Sequence, residues 1–227
     1  MKKIIIFDCG PSFKEVSSKY GDSVQWIISI LAKYNYDFIC IKSYCGEGTS
    51  IKDGDAWIIT GSPKSVYDEE DWMLELEYKI FDSINYNIPI LGICFGHQLI
   101  AKSFGGKVEL NKNGWELGSY PIYLTNEGLK SELFLGVSSS SVVYQSHQDC
   151  IKILPNGAKK LAFNNKGVQS FVFNNNIFGV QFHPEFSLEV IKKYVFIRSK
   201  LGAKVDDMSI PVSKNGEKIL HNFIKFI

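Results

Sequence analysis

Short apolar runs alternate with helical patterns over the first 104 residues of the chain. Continuous apolar runs, typical of strands buried on both faces of a sheet, predict strands at residues 3–7, 37–41, 56–60 and 88–93. Apolar residues spaced three and four apart predict helices after the first, third and fourth runs, at residues 24–31, 73–84 and 99–104. This alternation predicts an α/β fold with a mostly parallel sheet flanked by helices.

The second half of the chain is rich in predicted strands. Residues 108–124 and 142–182 are broken by turn signals, and residues 171–173 and 177–182 can pair as a hairpin across three consecutive asparagines. Helical patterns return at residues 188–198 and 217–226. Because no Pro- or Gly-rich linker interrupts the chain, we expect one domain over residues 1–227.

Composition narrows the possible classes of protein. The chain is 45% hydrophobic and 22% charged, which is ordinary for a globular protein and excludes a disordered or collagen-like chain. The net charge of +1 lacks the basic excess that nucleic acid or an anionic membrane surface would attract. Five cysteines without a C-x-x-C pair indicate free thiols in a reducing compartment. No apolar run is long enough for a signal peptide or a membrane span, so we expect a cytoplasmic protein.

Gly92, Cys94 and Gly96 form a G-x-C-x-G motif where the fourth predicted strand meets a helix. A tight turn at this point would lift a nucleophilic thiol to the end of the strand, and the helix N-terminus would lower the pKa of that thiol. The alternative is that Cys94 is a buried small hydrophobic residue, which is a common fate of cysteine. The motif alone leaves both interpretations open.

A nucleophilic cysteine needs a base, and the chain has four histidines. His183 ends a predicted strand and Glu185 lies two residues later, so in extended chain both side chains point the same way and the carboxylate can orient the ring. His97 is expected to pack or cap in the helix after Cys94, His221 to lie on the surface, and His147 to lie in a loop after residues 142–144. No His/Cys cluster has ligand spacing, so we expect no metal and no cofactor.

Residues 91–98 (LGICFGHQ) with residues 181–185 (QFHPE) resemble the class I glutamine amidotransferase family, especially the glutaminase domain of GMP synthetase and its stand-alone relatives. Further segments match in order at residues 60–68, 114–118 and 146–149, and the resemblance covers residues 1–197 or so. It implies a flavodoxin-like fold. Residues 198–227 form a C-terminal extension with a final helix that the resemblance does not explain.

The resemblance also implies roles. Cys94 would attack the side-chain amide carbon of glutamine, His183 would protonate the departing ammonia, and Glu185 would orient His183. The N–H groups of Gly61 and Phe95 would hold the oxyanion. The implied substrate contacts are Gln98, Ser146, His147, Gln148 and Asp149, with Asp149 as the partner of the substrate α-ammonium group.

Three functions remain open at this stage. The first is a glutaminase that hydrolyses L-glutamine to glutamate and ammonia and passes the ammonia to a synthetase on a separate chain. The second is a stand-alone hydrolase of other γ-glutamyl amides, and the third is a catalytically silent relative. Gln148 stands where the synthetase form usually has glycine, and Ser62-Pro63 resembles the stand-alone relatives. The sequence therefore predicts attack at the γ-carbonyl carbon, but it does not predict which amine is released or where that amine goes.

Overall fold

The structure is a computed structural model that describes residues 2–205 and 209–227. Within these residues the strands are β1 Lys3–Asp8, β2 Asp37–Lys42, β3 Ala56–Ile59, β4 Ile90–Ile93, β5 Lys107–Leu110, β6 Glu116–Leu124, β7 Ser140–His147, β8 Asp149–Ile153, β9 Lys159–Asn164, β10 Gly167–Phe173 and β11 Ile177–Val180. The α-helices are α1 Lys14–Tyr20, α2 Ser23–Leu31, α3 Asp71–Asp82, α4 Phe95–Ser103, α5 Asn126–Lys130, α6 Leu188–Lys200 and α7 Asn215–Phe226.

The main sheet has nine strands in the described part of the chain, in the order β2-β1-β3-β4-β11-β10-β9-β6-β7. The first five pair in parallel, whereas β10, β9, β6 and β7 continue the sheet with antiparallel pairing. The α/β fold with a mixed sheet flanked by helices is therefore confirmed. The predicted hairpin is confirmed as well, because Phe173 pairs with Ile177 across the asparagine turn. Strands β5 and β8 form a separate two-stranded sheet that the sequence pattern does not reveal.

The continuous apolar runs form strands that are buried on both faces. In β1, Ile4 and Ile6 pack into the core on one side of the sheet, and Ile5 and Phe7 pack into the core on the other. Helices α2 and α7 cover the first side, while α3 and α4 cover the second. Helix α7, which lies in the unexplained C-terminal extension, thus contributes to the core on the first side of the sheet.

The parallel strands also fix the position of the candidate site. Gly61, Cys94 and His183 come shortly after β3, β4 and β11, which are neighbours in the sheet. Parallel strands end at the same edge, and ligands of such sheets bind outside that edge. Among the helices that the structure describes, none is long and apolar enough to cross a membrane.

Candidate active site

The turn between β4 and α4 holds Cys94 in a strained backbone conformation. Cys94 is the N-cap residue of α4, with φ 52° and ψ −98°, values that a non-glycine residue rarely adopts. The turn is crowded, because a Cβ on Gly92 would lie 2.5 Å from the Gly96 carbonyl carbon and a Cβ on Gly96 would lie 2.5 Å from the Ile59 oxygen. Strain of this kind persists where the surrounding structure imposes it, and it is concentrated at functional sites.

The His183 ring lies between Glu185 and Cys94. Its Nδ1 is 2.8 Å from Oε1 of Glu185, whose side chain is buried. A carboxylate only accepts hydrogen bonds, so Nδ1 carries a proton and Nε2 remains for the Cys94 thiol, with which the ring also hydrogen-bonds. The Phe186 ring stacks on the imidazole with centroids 4.0 Å apart and limits its rotation.

Neighbouring charges keep the His183 ring protonated. Burial alone would lower the pKa of an imidazole, but the charges of the Glu185 carboxylate and the Cys94 sulfur, and the hydrogen bonds to both, raise the pKa of His183 to about 10. At neutral pH the ring is therefore an imidazolium that can give a proton to a leaving group. His97 differs, because complete burial lowers its pKa to about 3 and its ring packs against Phe171. His221 lies on α7 beside Tyr34, so neither ring is a competing acid.

Two backbone N–H groups beside Cys94 have no acceptor within the described residues. Phe95 is the first residue of α4, and the N–H groups of a first helical turn have no partner inside their helix. Gly61 follows β3, and its N–H takes part in no hydrogen bond there. A Cβ on Gly61 would lie 3.0 Å from Cε1 of His183 and 3.7 Å from Cβ of Cys94, so this backbone borders both side chains. Both donors are therefore available to an oxygen that gains negative charge at Cys94.

Residues 146–149 lie at the junction of β7 and β8, and the predicted loop position of His147 is wrong. His147 is the last residue of β7 and Asp149 is the first of β8. The strand extends this far because it pairs with β6, which places His147 directly opposite Glu116. Nε2 of His147 lies 3.1 Å from Oε2 of Glu116, and Nδ1 lies 2.9 Å from the Asp149 carbonyl oxygen. Both ring nitrogens therefore face protein acceptors, and the ring holds the junction.

Glu116 holds His147 in place, a contact that the matching segment at residues 114–118 does not reveal. Burial alone would raise the pKa of its carboxyl, but the hydrogen bond and charge of His147 hold that pKa below its ordinary value. Asn164 and Gln169 donate two further hydrogen bonds to the same carboxylate. The pairing of Glu116 with His147 depends on strand register, so no spacing along the chain could have identified it.

The Asp149 carboxylate is held by two hydroxyl groups from the segment between β3 and α3. Ser65 Oγ donates to Oδ2 over 2.6 Å, and the Tyr67 hydroxyl donates to Oδ1 over 2.9 Å. The Gln98 side chain donates to the Asp149 carbonyl oxygen over 3.1 Å. Ser65 and Tyr67 are not among the predicted site residues, and only their place on either side of Val66, a matching position, could have suggested them.

Two cavities flank Cys94. The His183-side cavity, of about 110 Å³, is bordered by His183, Gly61 and residues 10–13. The Asp149-side cavity, of about 60 Å³, is bordered by Asp149, Gln98, Gln148 and Phe95. Ser146 lines both cavities, and its buried hydroxyl has no partner among the described residues. The structure thus brings all the predicted site residues to one edge of the sheet.

Arg198 also lines both cavities, and sequence reasoning did not identify it. In the described part of the chain, no cluster of three or more His, Cys, Asp or Glu side chains could hold a metal ion. The chemistry available at this edge is therefore that of a thiol, an imidazolium paired with a carboxylate, and backbone N–H donors.

Comparisons with known proteins identify the family of the chain. Residues 5–201 match the family described as glutamine amidotransferase class-I. A GMP synthase (glutamine-hydrolyzing) from Prochlorococcus marinus strain MIT 9312 is 39% identical over 186 residues, which are 78% of this chain and 34% of that protein. Gamma-glutamyl peptidase 4 from Arabidopsis thaliana is 30% identical over 196 residues, which are 84% of this chain and 78% of that protein. The chain thus spans about a third of the matched GMP synthase and most of the peptidase.

Two solved structures share the fold over nearly the whole chain. A glutamine amidotransferase from Thermotoga maritima superposes with a TM-score of 0.80 at 21% identity, covering 99% of this chain and 97% of that one. A glutamine amidotransferase from Methylobacillus flagellatus gives a TM-score of 0.76 at 21% identity, covering 99% and 94%. At this level of identity the likeness extends to the fold alone.

Proposed function

The chain belongs to the class I glutamine amidotransferase family, and on that premise we propose that it hydrolyses γ-glutamyl amide bonds through a Cys94–His183–Glu185 triad. The observation that carries the proposal is the pairing of the strained Cys94 turn with an imidazolium whose other nitrogen is fixed by Glu185. A silent relative would have no need to maintain this strain and this buried ion pair.

The reaction proceeds in two halves. Cys94 attacks the γ-carbonyl carbon as the thiolate of an ion pair with the His183 imidazolium, and the N–H groups of Gly61 and Phe95 stabilise the negative oxygen of the tetrahedral intermediate. The C–N bond then breaks, and His183 gives its proton to the departing amine. The neutral His183 next takes a proton from water, which attacks the glutamyl thioester and releases glutamate. Glu185 keeps the ring oriented through both halves.

Recognition of the glutamyl group is assigned to the Asp149-side cavity. The Asp149 carboxylate pairs with the α-ammonium group of the substrate, and its two hydroxyl donors, Ser65 and Tyr67, fix its orientation. Gln98 holds the Asp149 backbone, and the free hydroxyl of Ser146 is available to the substrate. Gln148 borders the same cavity, while His147 contributes by holding the strand junction through Glu116.

Two substrates are candidates. With L-glutamine the product amine is ammonia, which would pass to an acceptor enzyme on another chain; the match to about a third of a GMP synthase supports this function. With larger γ-glutamyl amides the chain would act alone. The match to most of a γ-glutamyl peptidase supports this second function, and so does the His183-side cavity, which is larger than ammonia requires.

Release of glutamate and of the amine from purified protein tests the proposal. We expect hydrolysis of glutamine or of γ-glutamylmethylamide, and we expect Cys94→Ala to abolish it while the protein stays folded. Cys40→Ala is the matched control, since Cys40 is exposed on β2. Unchanged turnover in Cys94→Ala would contradict the proposed mechanism.

A further inference from the structure

The single arginine of the chain lies at the Cys94 site, and the mechanism proposed above does not use it. Arg198 is in the last turn of α6. Its guanidinium carbon is 4.8 Å from the centroid of the Phe13 ring and 4.7 Å from that of the Trp115 ring. A cation at this distance is attracted by the electron-rich face of an aromatic ring. The two rings therefore hold the guanidinium of a residue that lines both cavities.

The Arg198 charge has no anionic partner within the described residues. No carboxylate lies within 4.0 Å of it there, and its buried Nε has no hydrogen-bond partner. Burial lowers the pKa of its guanidinium, although an arginine side chain stays charged at any physiological pH. A partly desolvated charge without a counter-ion is costly, and a guanidinium matches a carboxylate in geometry and charge. The arrangement indicates a place for a carboxylate that comes with a ligand.

The His183-side cavity is where that carboxylate fits best. His183 protonates the departing amine, so any substituent on the amine must extend into this cavity. No carboxylate borders the cavity in the described part of the chain, and the hydroxyl-bearing residues Ser12, Ser23 and Tyr194 do. Burial raises the pKa of Tyr194 to about 12, so its hydroxyl remains a neutral donor. The cavity is about 110 Å³, whereas a water-sized molecule such as ammonia needs only about 10–15 Å³.

We propose that Arg198 binds a carboxylate on the leaving amine, so that the preferred substrates are γ-glutamyl-amino acids or short γ-glutamyl peptides. This inference rests on the proposed function, because it uses the same thiol and the same proton donor. One water is consumed: the γ-glutamyl C–N bond breaks, the amino acid leaves with the proton from His183, and water releases glutamate from Cys94. The carboxylate stays ionised on Arg198 throughout.

The competing assignment is that Arg198 binds the α-carboxylate of the glutamyl group itself. That carboxylate is common to every γ-glutamyl substrate, so loss of Arg198 would then weaken all substrates equally. The Asp149-side cavity has the Asp149 carboxylate on its border, and its second cation, Lys64, is paired with Glu70 over 2.5 Å. Within the described residues no carboxylate borders the His183-side cavity, and His183 is its other cation. This difference favours the leaving-amine assignment.

A matched pair of substrates separates the two assignments. γ-Glutamylglycine and γ-glutamylglycinamide differ only in a carboxylate on the leaving amine, and glutamate release gives kcat/KM for each. We expect wild-type protein to favour γ-glutamylglycine by about 10- to 150-fold, the range for one charge-assisted hydrogen-bonded contact. Arg198→Gln should reduce this preference to near one and change kcat/KM for the glycinamide by less than about threefold. Lys200→Gln, an exposed change of the same charge in the same turn, should keep the preference.

Three outcomes would overturn the inference. Wild-type protein without a preference for γ-glutamylglycine would do so, and so would an equal loss on both substrates in Arg198→Gln. Hydrolysis of glutamine without cleavage of either dipeptide would refute the inference and leave the proposed function standing. If no γ-glutamyl substrate yields glutamate, the proposed function itself fails. Two controls distinguish lost recognition from lost structure. The Tm of Arg198→Gln should match that of wild-type protein, and Arg198→Lys, which keeps the positive charge, should recover part of the preference for γ-glutamylglycine.

Discussion

Replacing Asp149 by asparagine should weaken substrate binding before it affects chemistry. The Asp149 carboxylate accepts hydrogen bonds from Ser65 and Tyr67 and is 6% exposed, so it has a fixed orientation at the border of its cavity. Asparagine keeps the shape, and both hydroxyl groups can turn to suit an amide. Asp149→Asn therefore removes a charge with little rearrangement.

The size of the effect follows from the contact that is lost. An ion pair to the α-ammonium group exists in the ground state and in the transition state alike, so its loss raises KM and leaves kcat nearly unchanged. A hydrogen bond to a charged group contributes about 1.5–3 kcal/mol, which corresponds to a decrease in kcat/KM of about 10- to 150-fold. Tyr67→Phe removes one of the two hydrogen bonds that orient the carboxylate but leaves its charge and its bond from Ser65, so we expect a smaller decrease of about 2- to 10-fold.

Steady-state hydrolysis over a wide range of substrate concentration measures both parameters. Asp37→Asn is the control, because Asp37 is exposed at the start of β2 and borders neither cavity. A large loss of kcat at saturating substrate in Asp149→Asn would refute the reasoning, since it would mean that the carboxylate acts on the reacting atoms. Unchanged KM would place the α-ammonium group elsewhere.

Three further predictions concern the charged pairs. Glu185→Gln should lower kcat less than His183→Ala does, with KM nearly unchanged in both, because an unoriented ring still reaches the thiol part of the time. Folding raises the pKa of His183 from an ordinary value of 6.5 to about 10. The protonated ring therefore stabilises the folded protein fully below pH 6.5, and this stabilisation is lost as the pH rises through 10. Between these two pH values the Tm of wild-type protein should fall more steeply than that of His183→Gln. Glu116→Leu leaves His147 facing an apolar group and should lower the free energy of unfolding by about 3–5 kcal/mol in urea titrations, whereas Glu116→Gln should lower it less.

The sequence predicts those features that depend on local patterns. A run such as residues 4–7 must be buried on both faces, so the parallel strands and the turn at Cys94 follow from the chain itself. The pairing of His183 with Glu185 is also local, but the extended segment predicted for it is wrong: β11 ends at Val180, and a turn at residues 184–185 brings the carboxylate to the ring. These features involve residues that are near one another in sequence.

The features that the sequence does not predict depend on the registers and crossings of distant segments. Glu116 meets His147 only because β6 and β7 pair in one register of several. Arg198 reaches the site because α6 packs where its last turn lies between Phe13 and Trp115, and neither ring is near it in sequence. Tertiary packing determines where α6 lies. No sequence motif therefore marks Arg198, the residue that we assign to substrate choice.

Detection of a glutamyl thioester on Cys94 tests the central claim most directly. The protein is mixed with a γ-glutamyl substrate, quenched in acid within the first turnover, digested and analysed by mass spectrometry. We predict a glutamyl group on the peptide that contains Cys94 and its absence from Cys94→Ala. Glu185→Gln should still carry the adduct, since its thiol is intact. A glutamyl group on Cys9, Cys40, Cys45 or Cys150 instead, or steady hydrolysis without any adduct, would contradict the account.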